Sequence, residues 1–414
     1  MTMNQEGTNS GRNPAFFLFC EEISDERLHW LSECLEAAYP APKPEPVKGS
    51  SGSPACAIFL TGEALMSLID RRTQGIWKSL SEKQGVVIYA DGDELCLHGL
   101  KGLVTDALPA VFITDDNDAP GKDGFWNLIV SDLKQNWNSP EKAAFLLCNS
   151  PYMSRTPVYM LKFLKSAVIH DLDPELYAYL DGVHSGHIEQ RPSEFENIGD
   201  GITALAASAK RSGRASWFSA CSRCATARGY YVRNAETGGC ESWSYIDSVT
   251  IRPLKEILER FLGNHPILSH MCGGVLHESG GIAEKNSPPR LLIFLTNPPY
   301  TTEWTFGGIS MAVAAAMDGI ETHIIFIEQG VHSLCGDHEV RPGERVFNIQ
   351  EMVMATADIP ELHYCAFSPS LDERGIEVAE SLSMVEIIDS RELGERIWKS
   401  SGENENPYSR VIFY

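Results

Sequence analysis

Short, uninterrupted apolar runs punctuate the chain, and longer stretches of helical period separate them. AFFLFC (15–20), CAIFLT (56–61), VVIYA (86–90), and the runs opening at Ala144 and Leu292 lack an internal polar break. Runs of this kind fit strands buried on both faces of a parallel sheet. Strands alternating with helical stretches such as Asp25–Ala38 predict βαβ units and a doubly wound α/β sheet.

The pattern repeats. From Ala144 the chain reads AFLLCNSPYMSRTPVYMLKFLKSAVIHDLDPELYAYLDGVHSG, and from Leu292 LIFLTNPPYTTEWTFGGISMAVAAAMDGIETHIIFIEQGVHSL. Each carries an apolar run, Asn-x-Pro-Tyr, a helical stretch, a second apolar run and Gly-Val-His-Ser. Asn149 to Gly182 and Asn297 to Gly330 both span 33 residues. A third strand follows in each, at Arg214–Ala220 and Glu361–Phe367. Asn149 to Gly229 is 80 residues and Asn297 to Gly375 is 78. A weaker first copy runs from Glu21 to Gly99, again 78 residues, with Gly62-Glu-Ala aligned on Gly182-Val-His. Matching words at matching spacing indicate duplication.

The expected organisation is a disordered leader at 1–13 and a first domain at 14–138. A Pro- and Gly/Ser-rich loop is inserted in that domain at 40–54. A second domain at 139–270, a linker at 271–290 and a third domain at 291–414 follow. Each domain is expected to be a mainly parallel, doubly wound sheet with helices on both faces.

Composition narrows the function classes. With 34 basic and 56 acidic residues the net charge is −22, which repels phosphate backbones and anionic lipid. Direct nucleic-acid binding and membrane association are therefore not expected. No stretch reaches the roughly 20 apolar residues of a membrane helix, and the polar N-terminus lacks a signal-peptide core. The expected compartment is the cytoplasm, where eleven irregularly spaced cysteines remain mostly free thiols. No GxGxxG or GxxxxGK[ST] phosphate loop is present at a strand–helix junction.

In the second copy, the third strand runs into Cys221-Ser-Arg-Cys224-Ala-Thr-Ala-Arg228-Gly229. A cysteine between a strand and a short helix, beside cations, is placed to become a thiolate. Six basic residues and no acidic one lie between Lys210 and Arg233: Lys210, Arg211, Arg214, Arg223, Arg228 and Arg233. Asn149, Tyr152, Gly182, His184 and Cys221 all fall on loops at strand carboxyl ends, where open α/β sheets place their sites. Asn149–Tyr152 reads as a turn shaping a pocket, and His184 as a pocket residue or proton donor. Cys224 offers a second thiol. Zinc on this Cys-x-x-Cys lacks a second close-spaced pair, so no metal is expected. Cys365 and the matched pair Cys20 and Cys148 read as core. Cys272 reads as an incidental exposed thiol in the linker.

NSPY, DGVHSG and ACSRCATARG together resemble the DsrE family of sulfur-relay proteins. NPPY, EQGVHS and LDERG resemble its TusC/DsrF branch, and the first copy a degenerate DsrE or TusB/DsrH-type unit. The chain resembles three TusBCD-type subunits fused. In this family a cysteine eight residues before the Arg-Gly glycine accepts sulfane sulfur as a persulfide and hands it on. Here that residue is Cys221; the first copy has Asp91 and the third Phe367. The resemblance thus implies a persulfide carrier of the sulfurtransferase type. Its expected catalytic residues are Cys221 and Cys224, and its pocket residues Asn149, Tyr152, Gly182, His184, Arg223 and Arg228. It needs no cofactor, and its partners are sulfur-donor and sulfur-acceptor proteins, such as a TusA-like carrier. A homodimer is expected. Two other readings stay open: a non-catalytic scaffold for a sulfur carrier, and a CxxC thiol-disulfide oxidoreductase.

Overall fold

The computed structural model describes residues 14–38, 55–114, 124–137, 140–233, 240–263, 265–275, 290–398 and 408–414. The leader, the insertion at 40–54 and residues 276–289 of the linker lie outside the described residues.

The first segment contributes strands β1 (Ala15–Phe19), β2 (Cys56–Leu60), β3 (Val86–Asp91) and β4 (Phe112–Thr114). The second contributes β5 (Lys142–Leu147), β6 (Asp173–Ala178) and β7 (Trp217–Cys221). A small hairpin of β8 (Val232–Arg233) and β9 (Cys240–Glu241) comes next, then β10 (Thr250–Arg252), β11 (Ile267–Leu268) and β12 (Met271–Val275). The third contributes β13 (Arg290–Leu295), β14 (Thr322–Phe326), β15 (Leu362–Phe367), β16 (Glu386–Ile388) and β17 (Tyr408–Phe413). The fold is mixed α/β with mostly parallel sheets.

Strand order repeats: β4-β3-β2-β1 in the first segment, β10-β7-β6-β5-β11 in the second, β16-β15-β14-β13-β17 in the third. All of these pairings are parallel. Two large sheets result, however, where the sequence suggests three. Met271–Val275, expected as linker, is the buried strand β12. It pairs antiparallel with β1 on one side and β17 on the other, joining the first and third segments into ten strands. MCGGV is apolar and small, and Gly273 lies against the Phe17 ring and the Phe16 carbonyl, where a Cβ would not fit. Cys272 is accordingly buried, not an exposed linker thiol.

The large sheet packs on both faces, and its side chains alternate between two cores. Phe17 and Phe19 face a core with Trp30, Leu35 and Trp398. Phe16, Leu18, Ile293 and Leu295 face the opposite core, which they share with the whole second segment. The helices Thr156–Ile169 and Trp304–Met317 lie in that shared core. Both are apolar around most of their circumference, as the centre of a large core requires.

The repeats align with one change. The 3₁₀ turns after the second strands are Gly62–Leu68, Leu180–Gly186 and Glu328–Leu334. Their first residues share a left-handed backbone, φ 57° at Gly62, 48° at Leu180 and 54° at Glu328. Gly62 therefore corresponds to Leu180, and Ala64 takes the place of Gly182. Gly-for-Gly matching is misled because only the first segment puts glycine at the left-handed position.

Candidate functional site

Cys221 ends β7 and is the N-cap of the helix Ser222–Ala227. Asp91 and Phe367 are the N-caps of the equivalent helices. Each such helix is followed by a left-handed glycine eight residues past the cap: Gly99, Gly229 and Gly375. Asp91 caps fully, accepting from the N–H groups of Asp93 and Glu94. Cys221 closes no full cap bond, so the N–H groups of Arg223 and Cys224 act on its sulfur electrostatically.

That environment lowers the Cys221 pKa to about 7. The largest cause is the neighbouring Cys224 thiol, which donates toward it. The two backbone N–H groups and the Arg223 cation add to this, while burial works in the opposite direction. Cys224 is pushed up, because it holds the shared proton and is itself buried. Cys221 is thus the member of the pair that ionises first and Cys224 the one that keeps its proton; both are free cysteines. In the other buried cysteines burial outweighs whatever donors reach the sulfur, Ser269 N–H at Cys272 and Arg396 at Cys365 included. Burial alone pushes Cys56 up to about 12, and Cys272 and Cys365 also rise to about 12.

Cys221 and Cys224 lie in a cavity of about 440 Å³. Tyr179, Leu180, Arg223, Ala227, Arg228 and Leu254 complete its wall from the second segment. The opposite wall comes from the third: Tyr300, Thr301, Thr302, Glu303 and Phe306, then Arg345, Val346, Phe347 and Ile349. The cavity is therefore a seam between segments. Arg223 spans it, its guanidinium 4.7 Å from the Phe306 ring centroid and 5.7 Å from that of Phe347. Arg228 donates to Asp181 at 2.6 Å and to Glu303 at 2.9 Å. Cys221 itself has no exposed surface, and Cys224 is 6% exposed.

Of the residues expected at the pocket, Arg223 and Arg228 line it, and Asn149, Tyr152, Gly182 and His184 do not. Asn149 Nδ2 donates to Glu21 Oε1 in the first segment. Tyr152 donates to Gln190 within its own segment. Gly182 lies under the loop: a Cβ there would stand 1.8 Å from the Leu147 carbonyl oxygen. His184 stands behind the wall, with Nδ1 2.6 Å from the Tyr230 hydroxyl and Nε2 3.7 Å from Asp181, the partner of Arg228. The physical reason is that each Asn-x-Pro-Tyr loop projects from its own segment onto a neighbouring one. Tyr300, the counterpart of Tyr152, supplies the cavity wall. Both tyrosines have left-handed backbones, φ 72° and 67°, with their hydroxyls held by Gln190 and His338. The repeated NPPY word was the available signal for Tyr300; nothing local marked Arg345–Phe347.

The basic run also divides. Lys210 and Arg211 end the helix before β7, and Arg214 is tied to Asp173 and the Asp171 carbonyl at the start of the sheet. The five-residue strand β7 separates them from the cavity by about 16 Å. Arg223 and Arg228 remain on the cysteine side, joined by Arg345 of the third segment.

The sequence model of the DsrE/DsrF-like family matches residues 290–400. That stretch carries Phe367 where the second segment carries Cys221. The crystal structure of the ychN protein from E. coli aligns with 31% of this chain and 98% of its own, at 22% identity and a TM-score of 0.25. No curated protein matches the chain.

Proposed function

We propose that the chain is a sulfur-relay protein built from three fused DsrE-like units, with Cys221 as the sulfur carrier. The family match at 290–400 supports sulfur relay in general terms. The observation that carries the finer reading is the place of Cys221, at a helix start inside a cavity walled by three arginines, where its pKa falls to about 7. A thiolate is the nucleophile in sulfur exchange, and its fraction near neutrality sets the rate.

Cys221 thiolate attacks the terminal sulfur of a donor persulfide, R–S–SH. A new S–S bond forms on Cys221, the donor S–S bond breaks, and the donor leaves as a thiolate while the transferred sulfur keeps its proton. The arginines stabilise the persulfide once it ionises. An acceptor thiolate then repeats the attack on Cys221. No electron is gained or lost overall and no cofactor enters. Donor and acceptor are proteins of the cytoplasm, the acceptor a small carrier of the TusA type, and the chain works as a homodimer.

Cys224 next to Cys221 also favours a second reading, a dithiol that closes to a disulfide. One experiment separates the two. The reduced protein is treated with a persulfide donor and the peptide holding both cysteines is weighed. Sulfur relay gives a gain of one sulfur atom on Cys221 that is absent in Cys221→Ser. A loss of two hydrogens with no added sulfur favours the oxidoreductase, and no change favours a scaffold.

A further inference from the structure

At the end of the large sheet opposite the cysteine cavity, Glu321, His323 and His363 come together where β14 and β15 begin. We propose that these three side chains form a binding site for a divalent transition-metal ion of the zinc class.

Glu321 and His323 are two residues apart along an extended chain, so their side chains share one face. His323 and His363 are register partners across the parallel β14–β15 pair, with ring centroids 4.4 Å apart. One ligand atom from each of the three residues lies within 4.8 Å of the other two. Tetrahedral zinc with bonds near 2.1 Å requires ligand atoms about 3.4 Å apart. Side-chain rotation alone covers the difference, because Glu321 is part-exposed and His363 exposed. Two imidazoles and one carboxylate suit a borderline ion, and His363 leaves the open side that a water or exogenous ligand would occupy.

The nitrogen of His323 beside Glu321 is Nε2, 3.3 Å from Oε1. A metal bound there would take up the contact that Nε2 now makes with the carboxylate, and His323, 9% exposed, would be the inner ligand of the three.

Arg290 and Arg396 stand nearby, and both are engaged. Arg290 donates to Glu321 Oε1 at 2.5 Å and stacks on the Tyr408 ring. Arg396 is bound to Glu386 at 2.5 Å and contacts the Cys365 sulfur. The described contacts to Glu321 fall on Oε1, so a cation bridges to this carboxylate through its other oxygen while Arg290 orients it.

The test is a zinc titration of the reduced full-length protein in competition with a chromophoric chelator, repeated with cobalt as a spectroscopic probe. The expected result is a site that His363→Ala weakens by more than about tenfold and that Cys221→Ser/Cys224→Ser leaves in place. His363 is exposed, so its loss does not threaten folding. Cobalt in this site shows visible d–d bands without thiolate charge transfer. Equal zinc affinity in wild type and His363→Ala overturns the proposal, as does zinc binding that disappears only in the double cysteine variant.

Discussion

Arg228 donates to Glu303 at 2.9 Å across the seam that encloses Cys221. Counterparts of this contact recur at the other two seams. Arg155, equivalent in position to Glu303, reaches Glu94 at 2.8 Å, and Arg374 reaches Glu26 at 2.6 Å. In each case the short helix after a third strand is tied to the start of the first helix of another segment: first to second, second to third, third to first. A closed ring of three segments follows from the connectivity of these pairs.

The pairs differ in burial, and so in what they contribute. Glu303 is 58% exposed, so Glu303→Gln should cost about 1 kcal/mol or less in urea unfolding. Glu94 has 2% side-chain exposure, and its other described contacts are Tyr159 and His98. Arg155→Ala leaves this carboxylate buried without its guanidinium. A loss of about 2–3 kcal/mol is expected, below the range for a fully buried pair because Arg155 is half exposed. Equal losses in the two variants would contradict this ranking.

Gly182→Ala tests the packing beneath the cavity loop. A methyl group there meets the Leu147 carbonyl oxygen at 1.8 Å, and backbone on both sides must shift. Gly330 meets Leu295 in the same way. Each substitution should destabilise by about 1–3 kcal/mol or more, read as a fall in the thermal midpoint. Neither glycine is at a left-handed φ, so the loss is steric and Gly182→Ser should be no better tolerated.

The sequence reveals strands and repeats well because buried parallel strands are written as unbroken apolar runs, and each recurs at a fixed spacing. Cys221 was legible for the same reason: its offset from Gly229 matches Asp91 to Gly99. What the sequence hid is contact between segments. The NSPY loop belongs to the same copy as Cys221, yet Tyr152 does not line its cavity, while Tyr300, 79 residues beyond Cys221, does. Likewise MCGGV reads as linker because two glycines outweigh three apolar residues, and only pairing with β1 and β17 makes it a strand. The basic run from Lys210 to Arg233 looked continuous because a linear count ignores the length of β7.

The pH dependence of Cys221 has a definite sign. A thiol lowered to about 7 is half thiolate there, so its alkylation rate by iodoacetamide should rise through pH 7 and level off above pH 8. The rate falls as pH drops below 7, since protonation removes the nucleophile. An ordinary cysteine would keep rising through about pH 8.5. Cys224→Ala removes the largest cause of the shift, the donating thiol, and should move the midpoint upward. Cys224→Ser keeps a donor and should move it less. Mass spectrometry of the alkylated peptide reads both. A midpoint indifferent to Cys224→Ala would show that the backbone N–H groups and Arg223 carry the shift alone.

Access to Cys221 and its acidity should respond to different residues. Cys221 has no exposed surface, and Arg223 lies against Phe306 and Phe347 across the cavity that it lines. Phe347 is 59% exposed, so Phe347→Ala removes a wall of the seam at little cost to the core. It should raise the alkylation rate several-fold for a bulky maleimide and much less for iodoacetamide, leaving the pH midpoint in place. Arg223→Ala removes the same stack together with its cation. It should raise the maleimide rate as well, but shift the midpoint upward slightly, since the cation is the least of the causes that lower Cys221. Rates for the two reagents across pH separate the effects. If Phe347→Ala accelerates both reagents equally, the aromatic wall does not gate the thiol by size, and Cys221 is reached by another route.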